Sequence, residues 1–381
     1  MTQPFTPPQE TLPARRRRAR RPRRRRALIW TTVVVACLAA VVGVAVPVMK
    51  HYEIPPFSQK GQPLSFDTPA PHGGGGGRDG GGDGKVVGGN ALTELPTGPE
   101  APWRVEHTLD DGTHIGVITY TGPKSGYTGK VWVWAPKQYS DPKYAQSGFP
   151  VMIALPGGPG YNDNYWKDPG LKLEQSITEW SQEGKSLPFL VVMPVLNPGP
   201  DVHDHYWDGS DIPGQPKMGT WLMDDVPNLM RQNFRTFKSR DGWGFMGSSS
   251  GGFVGLKAVL QYPDRFKAAL ISGPDIVPDS PFWKGHPKEQ AENNPVLLSK
   301  QLIARGGPDV YIAFQYGTRE GSGEIGAVTG YLKQFGNKGP IHTAVHVIQG
   351  GRHNAYTYVP AMGTGLITWF SQHLLGPTPS S

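Results

Sequence analysis

The chain has 381 residues and a formal charge of +7, and that charge is unevenly placed. Residues 1–50 hold ten Arg and Lys50 against Glu10, a net of +10, which leaves −3 for the other 331 residues. A basic surface for nucleic acid is therefore excluded as the source of the positive total, a single cysteine excludes an intrachain disulfide framework, and 11 Trp, 14 Tyr and 14 Phe exclude a wholly disordered chain.

Residues 1–26 are Arg-rich, polar and without apolar period, and read as a disordered tail. Residues 27–49 carry no charge. At about 1.5 Å per helical residue they are long enough for a hydrocarbon core of about 30 Å. Ten Arg on the N-terminal side orient such a helix with the tail inside and the body outside, and they favour contact with anionic lipid. A cleaved signal peptide has a shorter apolar run and a small-residue cleavage site. Val34-Val35-Ala36-Cys37 resembles a lipobox, but the chain stays apolar after Cys37. A twin-arginine signal has little weight, because a long Arg run contains Arg-Arg by chance. A single-pass signal anchor is the reading adopted.

Residues 50–90 read as a linker. Positions 73–89 contain 11 Gly in 17 residues, the composition of a flexible coil. The folded body is then 91–381. It opens with strand-like runs at 114–120 and 130–135 and continues with apolar β-type runs at 151–155, 189–195, 243–246, 268–271, 310–314 and 344–348. Helical segments are predicted at 221–234, 252–261, 294–304, 325–335 and 363–375. Continuous apolar strands alternating with helices imply an α/β fold, a mostly parallel sheet covered on both faces.

The strongest chemical signal is Gly247-Ser-Ser249-Ser-Gly251, directly after a predicted strand and before a predicted helix. This is the context of a nucleophile elbow. The serine occupies a strained turn, and glycines at ±2 let strand and helix approach. Ser249 is the one of three consecutive serines with glycine on both sides at that spacing. A nucleophilic serine needs a base and the base needs a carboxylate, in the chain order Ser, acid, His. His353, in Gly350-Gly-Arg-His-Asn354 after the last strand, is the predicted base; His342, His346 and His373 are its rivals. Glu320, after the strand at 310–314, is the predicted acid, with Asp275 second and Glu324 third. The oxyanion donors are predicted to be the N–H groups of Ser250 and Gly158, with Gly157 as fallback. The cluster Asp201-Val-His203-Asp204-His205-Tyr-Trp-Asp208 could supply His203 and His205 to a metal. No third ligand is fixed by its spacing, so it is read as a rim loop. No cofactor or metal is expected.

These motifs resemble the elbow, acid and histidine motifs of the esterase D-like family of α/β-hydrolases. The carrying residues are Gly247–Gly252, Tyr316-Gly-Thr-Arg-Glu320 and Gly351-Arg-His353, and the segment 221–240 resembles the helix preceding the elbow. The family includes S-formylglutathione hydrolases, feruloyl-type esterases and actinobacterial mycolyltransferases. Two positions depart from it: Ser250 stands where methionine is usual, and Pro156-Gly157 stands where His-Gly or Asp-Gly is usual. The resemblance implies an α/β-hydrolase fold and an acyl-enzyme on Ser249, formed from a small-molecule or lipid or glycan ester. Water as acceptor makes an esterase; a cell-envelope sugar hydroxyl makes an acyltransferase. A non-catalytic binding protein on the same fold is the third possibility.

Overall fold

The computed structural model describes residues 61–66, 92–158, 160–199 and 205–380. The segment at 27–49, the Gly-rich run at 73–89 and His203 lie outside these residues. No helix among the described residues is long and apolar enough to cross a membrane.

Among the described residues eleven strands are formed. They are β1 (Thr93–Glu94), β2 (Arg104–Thr108), β3 (His114–Thr121), β4 (Thr128–Trp134), β5 (Val151–Leu155) and β6 (Leu190–Pro194). They continue with β7 (Thr236–Phe237), β8 (Trp243–Ser248), β9 (Ala268–Ser272), β10 (Val310–Gly317) and β11 (Ile341–Ile348). Nine build one sheet in the order β11-β10-β9-β8-β5-β6-β4-β3-β2, while β1 and β7 pair separately. From β11 to β6 every pairing is parallel; β6–β4, β4–β3 and β3–β2 are antiparallel. The result is an α/β-hydrolase-type sheet. All residues of β5, β6, β8 and β9 are buried, as expected of central strands covered on both faces. Because these strands run in one direction, the loops at their carboxyl ends converge on one edge.

The helices are α1 (Leu173–Gln182), α2 (Val226–Asn233), α3 (Ser250–Gln261), α4 (Pro287–Glu292), α5 (Pro295–Arg305), α6 (Ser322–Phe335), α7 (Ala355–Met362) and α8 (Leu366–Gln372). Several differ from the sequence expectation. The helix predicted at 221–234 begins as a wide turn over Trp221–Asp225 and becomes α-helical at Val226. Pro227 has no N–H to give Met223, and the freed Met223 carbonyl accepts from the Arg265 guanidinium instead. Of the helix predicted at 363–375, Leu366–Gln372 is formed as α8; residues 363–365 make a turn in which Gly365 adopts φ 141°, and α7 lies ahead of the predicted range and was not foreseen. His353 thus precedes α7, which the Asn354 side chain caps by accepting from the Thr357 N–H. Helix α1 and strand β2 were not foreseen.

Within the stretch 50–90 read as a linker, residues 61–66 are the described part. Residues 61–66 lie along β2: the Leu64 N–H donates to the Trp103 carbonyl, the Val105 N–H donates to the Gln62 carbonyl, and Phe66 stacks edge-on against Trp103 and Phe234. The segment covers the edge strand with backbone hydrogen bonds and buries part of an aromatic ring, which a fully solvated linker would not do.

Lys257, on the inward side of α3, is fully buried. Its ammonium donates to the carbonyls of Asp208 (2.6 Å) and Gly209 (2.8 Å) and to Ser210 Oγ (2.6 Å) and Asn293 Oδ1 (3.3 Å). It ties the helix after the elbow to the loop after β6 and to the end of α4. Burial pushes it down to about 7, against the pull of Asp208 and Asp211. A lysine free in the unfolded chain holds its proton to about 10.4, so folding stability rises with pH between about 7 and 10. Lys257→Met removes the ammonium that these four acceptors share and is expected to cost about 2–4 kcal/mol in denaturant unfolding. It is also expected to flatten the rise in stability between about pH 7 and 9; an unaltered slope would assign that rise to other groups.

Candidate active site

The central strand β8 ends at Ser248 and α3 begins at Ser250, so Ser249 is the single hinge between them. It takes φ 52°, ψ −126°, a conformation that costs a non-glycine residue of order 1–3 kcal/mol. The glycines at ±2 permit it. A Cβ on Gly247 would lie 2.6 Å from the Gly251 carbonyl, and one on Gly251 would collide with the carbonyl oxygens of Leu155 and Pro156. The Ser249 N–H donates to the Ser272 carbonyl of β9 (2.9 Å), which holds the turn against the next strand. Phe253 makes the first helical hydrogen bond, to the Ser249 carbonyl (2.8 Å), so the N–H groups of Ser250 to Gly252 have no acceptor within the helix.

Glu320 and His353 come together from the carboxyl ends of β10 and β11. His353 Nδ1 lies 3.0 Å from Glu320 Oε2. Glu320 is buried, and its other oxygen accepts from the Gly317 N–H (2.5 Å) and from Tyr358 Oη (2.8 Å). Burial by itself would raise the Glu320 carboxyl. Hydrogen bonds from His353, Gly317 and Tyr358 outweigh it and hold the carboxyl below its ordinary value. His353 is shifted the other way. The Glu320 hydrogen bond raises it and burial lowers it, while the charges of Glu320, Glu324 and Asp275 add to the rise. With Nδ1–H donating to Glu320, Nε2 is the nitrogen left to exchange a proton with a reacting group. His353 and Ser249 line one cleft of about 510 Å³ with Gly157, Gly158, Tyr165 and Tyr358.

The rival residues are placed elsewhere or differently engaged. Asp275 makes no hydrogen bond with His353, and burial pushes its carboxyl up. Glu324 Oε2 is 3.8 Å from His353 Nδ1 and accepts from the Gly321 N–H at the start of α6. His342 stacks on Tyr311 and contacts Asp309 at 3.0 Å, His373 stacks on the same Tyr311, and His346 reaches Thr364. The ring of His205 packs against Phe282. Among the described residues, the group with metal-ligand spacing is Glu320, Glu324 and His353, within 4.8 Å of one another. The Glu320–His353 hydrogen bond already occupies two of those atoms.

Of the two glycines considered for the oxyanion loop, Gly157 is committed: its N–H donates to Tyr165 Oη (2.6 Å). Gly158 adopts φ 67° and lines the cleft. Sequence reasoning missed Tyr165 and Tyr358. Tyr358 lies five residues beyond His353, about one turn into α7, and that spacing after a candidate base was the available signal. Nothing local marked Tyr165.

The His353 imidazole is expected to titrate above 6.5 when followed by its NMR ring-proton shifts. Glu320→Gln removes the main raising influence and leaves burial opposed only by Glu324 and Asp275, so the value is expected to fall. A value unchanged in that variant would show that Glu320 is not the partner that charges the ring.

Comparison with known proteins fits this architecture. A family model described as Putative esterase matches residues 127–374. An uncharacterised protein of Corynebacterium glutamicum is 24% identical over 263 residues, 64% of this chain; the match spans 59% of that relative's length. An S-formylglutathione hydrolase from Agrobacterium tumefaciens has a similar structure (TM-score 0.55, 18% identity, 69% of this chain and 96% of that one). So does the substrate-bound fluorophosphonate-binding serine hydrolase FphF of Staphylococcus aureus (TM-score 0.54, 16% identity, 68% and 98%). At these identities the two structures speak for the fold alone, whereas the family model covers more than half of the chain, a range that spans positions 249, 320 and 353. The chain belongs to the Putative esterase family.

Proposed function

We propose that the protein is a serine esterase that works through an acyl-enzyme on Ser249. The observation that carries this reading is the joint placement of a strained elbow serine and a Glu320-paired histidine in one cleft. His353 Nε2 takes the Ser249 proton as Oγ attacks the ester carbonyl. The negative charge that forms on the carbonyl oxygen is met by the N–H groups of Ser250 and Gly158, fixed backbone dipoles beside Ser249. Glu320 holds the Nδ1–H tautomer and stabilises the imidazolium. His353 then returns the proton to the departing alkoxide. Water, activated by the same histidine, releases the acid and restores Ser249.

The cleft mouth supports a second acceptor as well. Tyr356, which lines the cleft, is 66% exposed, so the cleft is reached from solvent and an alcohol can enter it as water can. Transfer to a sugar hydroxyl of the cell envelope is therefore retained as the alternative outcome of the same acyl-enzyme. Length and flanking arginines of 27–49 support a single-pass anchor, with the tail inside on anionic lipid and the body outside.

With p-nitrophenyl esters of short acids, Ser249→Ala is expected to abolish both burst and turnover, and wild-type-like turnover in that variant would end the reading. Glu320→Ala is expected to lower kcat by about 10³–10⁴, with Asp275→Ala within a few-fold of wild type. The reverse order would make Asp275 the acid. Added polyols that divert product from acid to ester would establish transfer. The full chain is expected to sediment with membranes, and removal of 27–49 is expected to release it; sedimentation unchanged by that deletion would refute the anchor.

A further inference from the structure

Three consecutive serines form the elbow, and the acyl-transfer reading uses the side chain of only the middle one. Ser250 engages the oxyanion loop at 156–158 directly, and Ser248 does so through Tyr165. Ser250 Oγ donates to the Gly158 carbonyl (3.0 Å). Ser248 Oγ lies 2.5 Å from Tyr165 Oη, and Tyr165 Oη accepts from the Gly157 N–H at 2.6 Å. Tyr165 is itself held between two fixed neighbours. The Asn164 amide donates to the carbonyls of Ala154 and Pro194 at the ends of β5 and β6 (2.9 Å each), and the Trp166 indole donates to the Leu155 carbonyl (2.8 Å). Burial raises the Tyr165 phenol and so keeps it protonated. The loop runs so close to the elbow that a Cβ on Gly157 would sit 3.0 Å from the Ser249 Cβ.

We propose that Tyr165, Ser248 and Ser250 form a clamp that sets the oxyanion hole. The Gly157 N–H fixes the peptide before Gly157, and the Gly158 carbonyl fixes the peptide after Gly158. The peptide between them, which carries the Gly158 N–H, is therefore held from both ends. Tyr165 also removes the Gly157 N–H from competition by accepting its hydrogen bond. Gly158 is then the loop donor that faces the developing charge beside Ser250. Tyr165 and Ser248 act through the loop and are positioning residues. The departure from the family pattern at position 250 acquires a reason: the serine there supplies a hydroxyl to the loop, which methionine cannot do. This inference rests on the acyl-transfer reading of Ser249.

A preorganised oxyanion donor is worth about 10²–10³ in kcat, and loosening one is worth less. In the full chain, Tyr165→Phe is expected to lower kcat for a p-nitrophenyl ester about 10–100-fold, with KM within about threefold of wild type. Affinity for a trifluoromethyl ketone, whose adduct carries the oxyanion, is expected to fall in parallel with kcat/KM, and the acidic limb of the pH profile is expected to stay in place. Ser248→Ala cuts the same clamp without removing a core ring and is expected to lower kcat about 3–30-fold. The double variant is expected to be no worse than Tyr165→Phe, because the two groups act as one unit. Should Tyr165→Phe fail to fold, Ser248→Ala decides the matter alone. An active wild type with kcat unchanged in Ser248→Ala and Tyr165→Phe overturns the clamp and leaves the esterase reading standing. A loss confined to KM makes Tyr165 a substrate contact and also overturns it. A wild type inert toward every ester overturns both.

Discussion

Ser249 is held at a positive φ by the close approach of β8 and α3, and the rest of the site depends on that constraint. A non-glycine residue relaxes out of such a conformation unless its surroundings over-determine it. Here β8 lies between β5 and β9, with every residue buried. The Ser249 N–H is bound to β9, and α3 cannot move away because Lys257 anchors its inward face to two separate segments, 208–210 and Asn293. The strain is local, and the elements that maintain it are distributed across the sheet.

Buried polar side chains do the equivalent work for the loops. A polar group out of water is costly unless paired, so each buried pair fixes a geometry as well as contributing stability. Gln315 on β10 donates to Ser272 Oγ at the end of β9 and to the Tyr358 carbonyl of α7, joining two strand ends to the helix that follows His353. Asn164 spans the ends of β5 and β6. These groups lie at the carboxyl edge of the parallel strands, where the backbone ladder ends and the chain must be positioned by side chains. The same edge collects Ser249, Glu320 and His353, and so the fold provides both the site and the means of holding it.

Electrostatics then separates two groups that would otherwise titrate close together. Glu320 receives three hydrogen bonds and stays ionised although it is buried, and its charge draws the proton toward His353. Glu324 and Asp275 add negative potential without occupying the Nδ1 hydrogen bond. The consequence is an imidazole ready to accept a proton in the cleft that Ser249 also lines.

The elbow was legible in the sequence because its determinants are local. Glycines two residues either side of Ser249, a strand before and a helix after all lie within one short stretch of chain. The parallel sheet was legible for a similar reason, since continuous apolar runs separated by helical lengths admit few alternatives. Strand ends also placed Glu320 and His353 in order. What stayed hidden depends on contacts far apart in the chain. The choice of Glu320 over Asp275 and Glu324 is made by which carboxylate reaches His353 Nδ1 in space. Tyr165 gains its role from Ser248, 83 residues away. The docking of 61–66 requires Trp103 and Phe234 to meet across the sheet edge. The final helix was started three residues early and α7 was missed, because the apolar pattern of 355–372 does not reveal the turn at 363–365. Local pattern determined which residues could react and roughly where they stand. Tertiary packing decided which of them meet, because hydrogen-bond partners are selected by distance in space and not by distance along the chain.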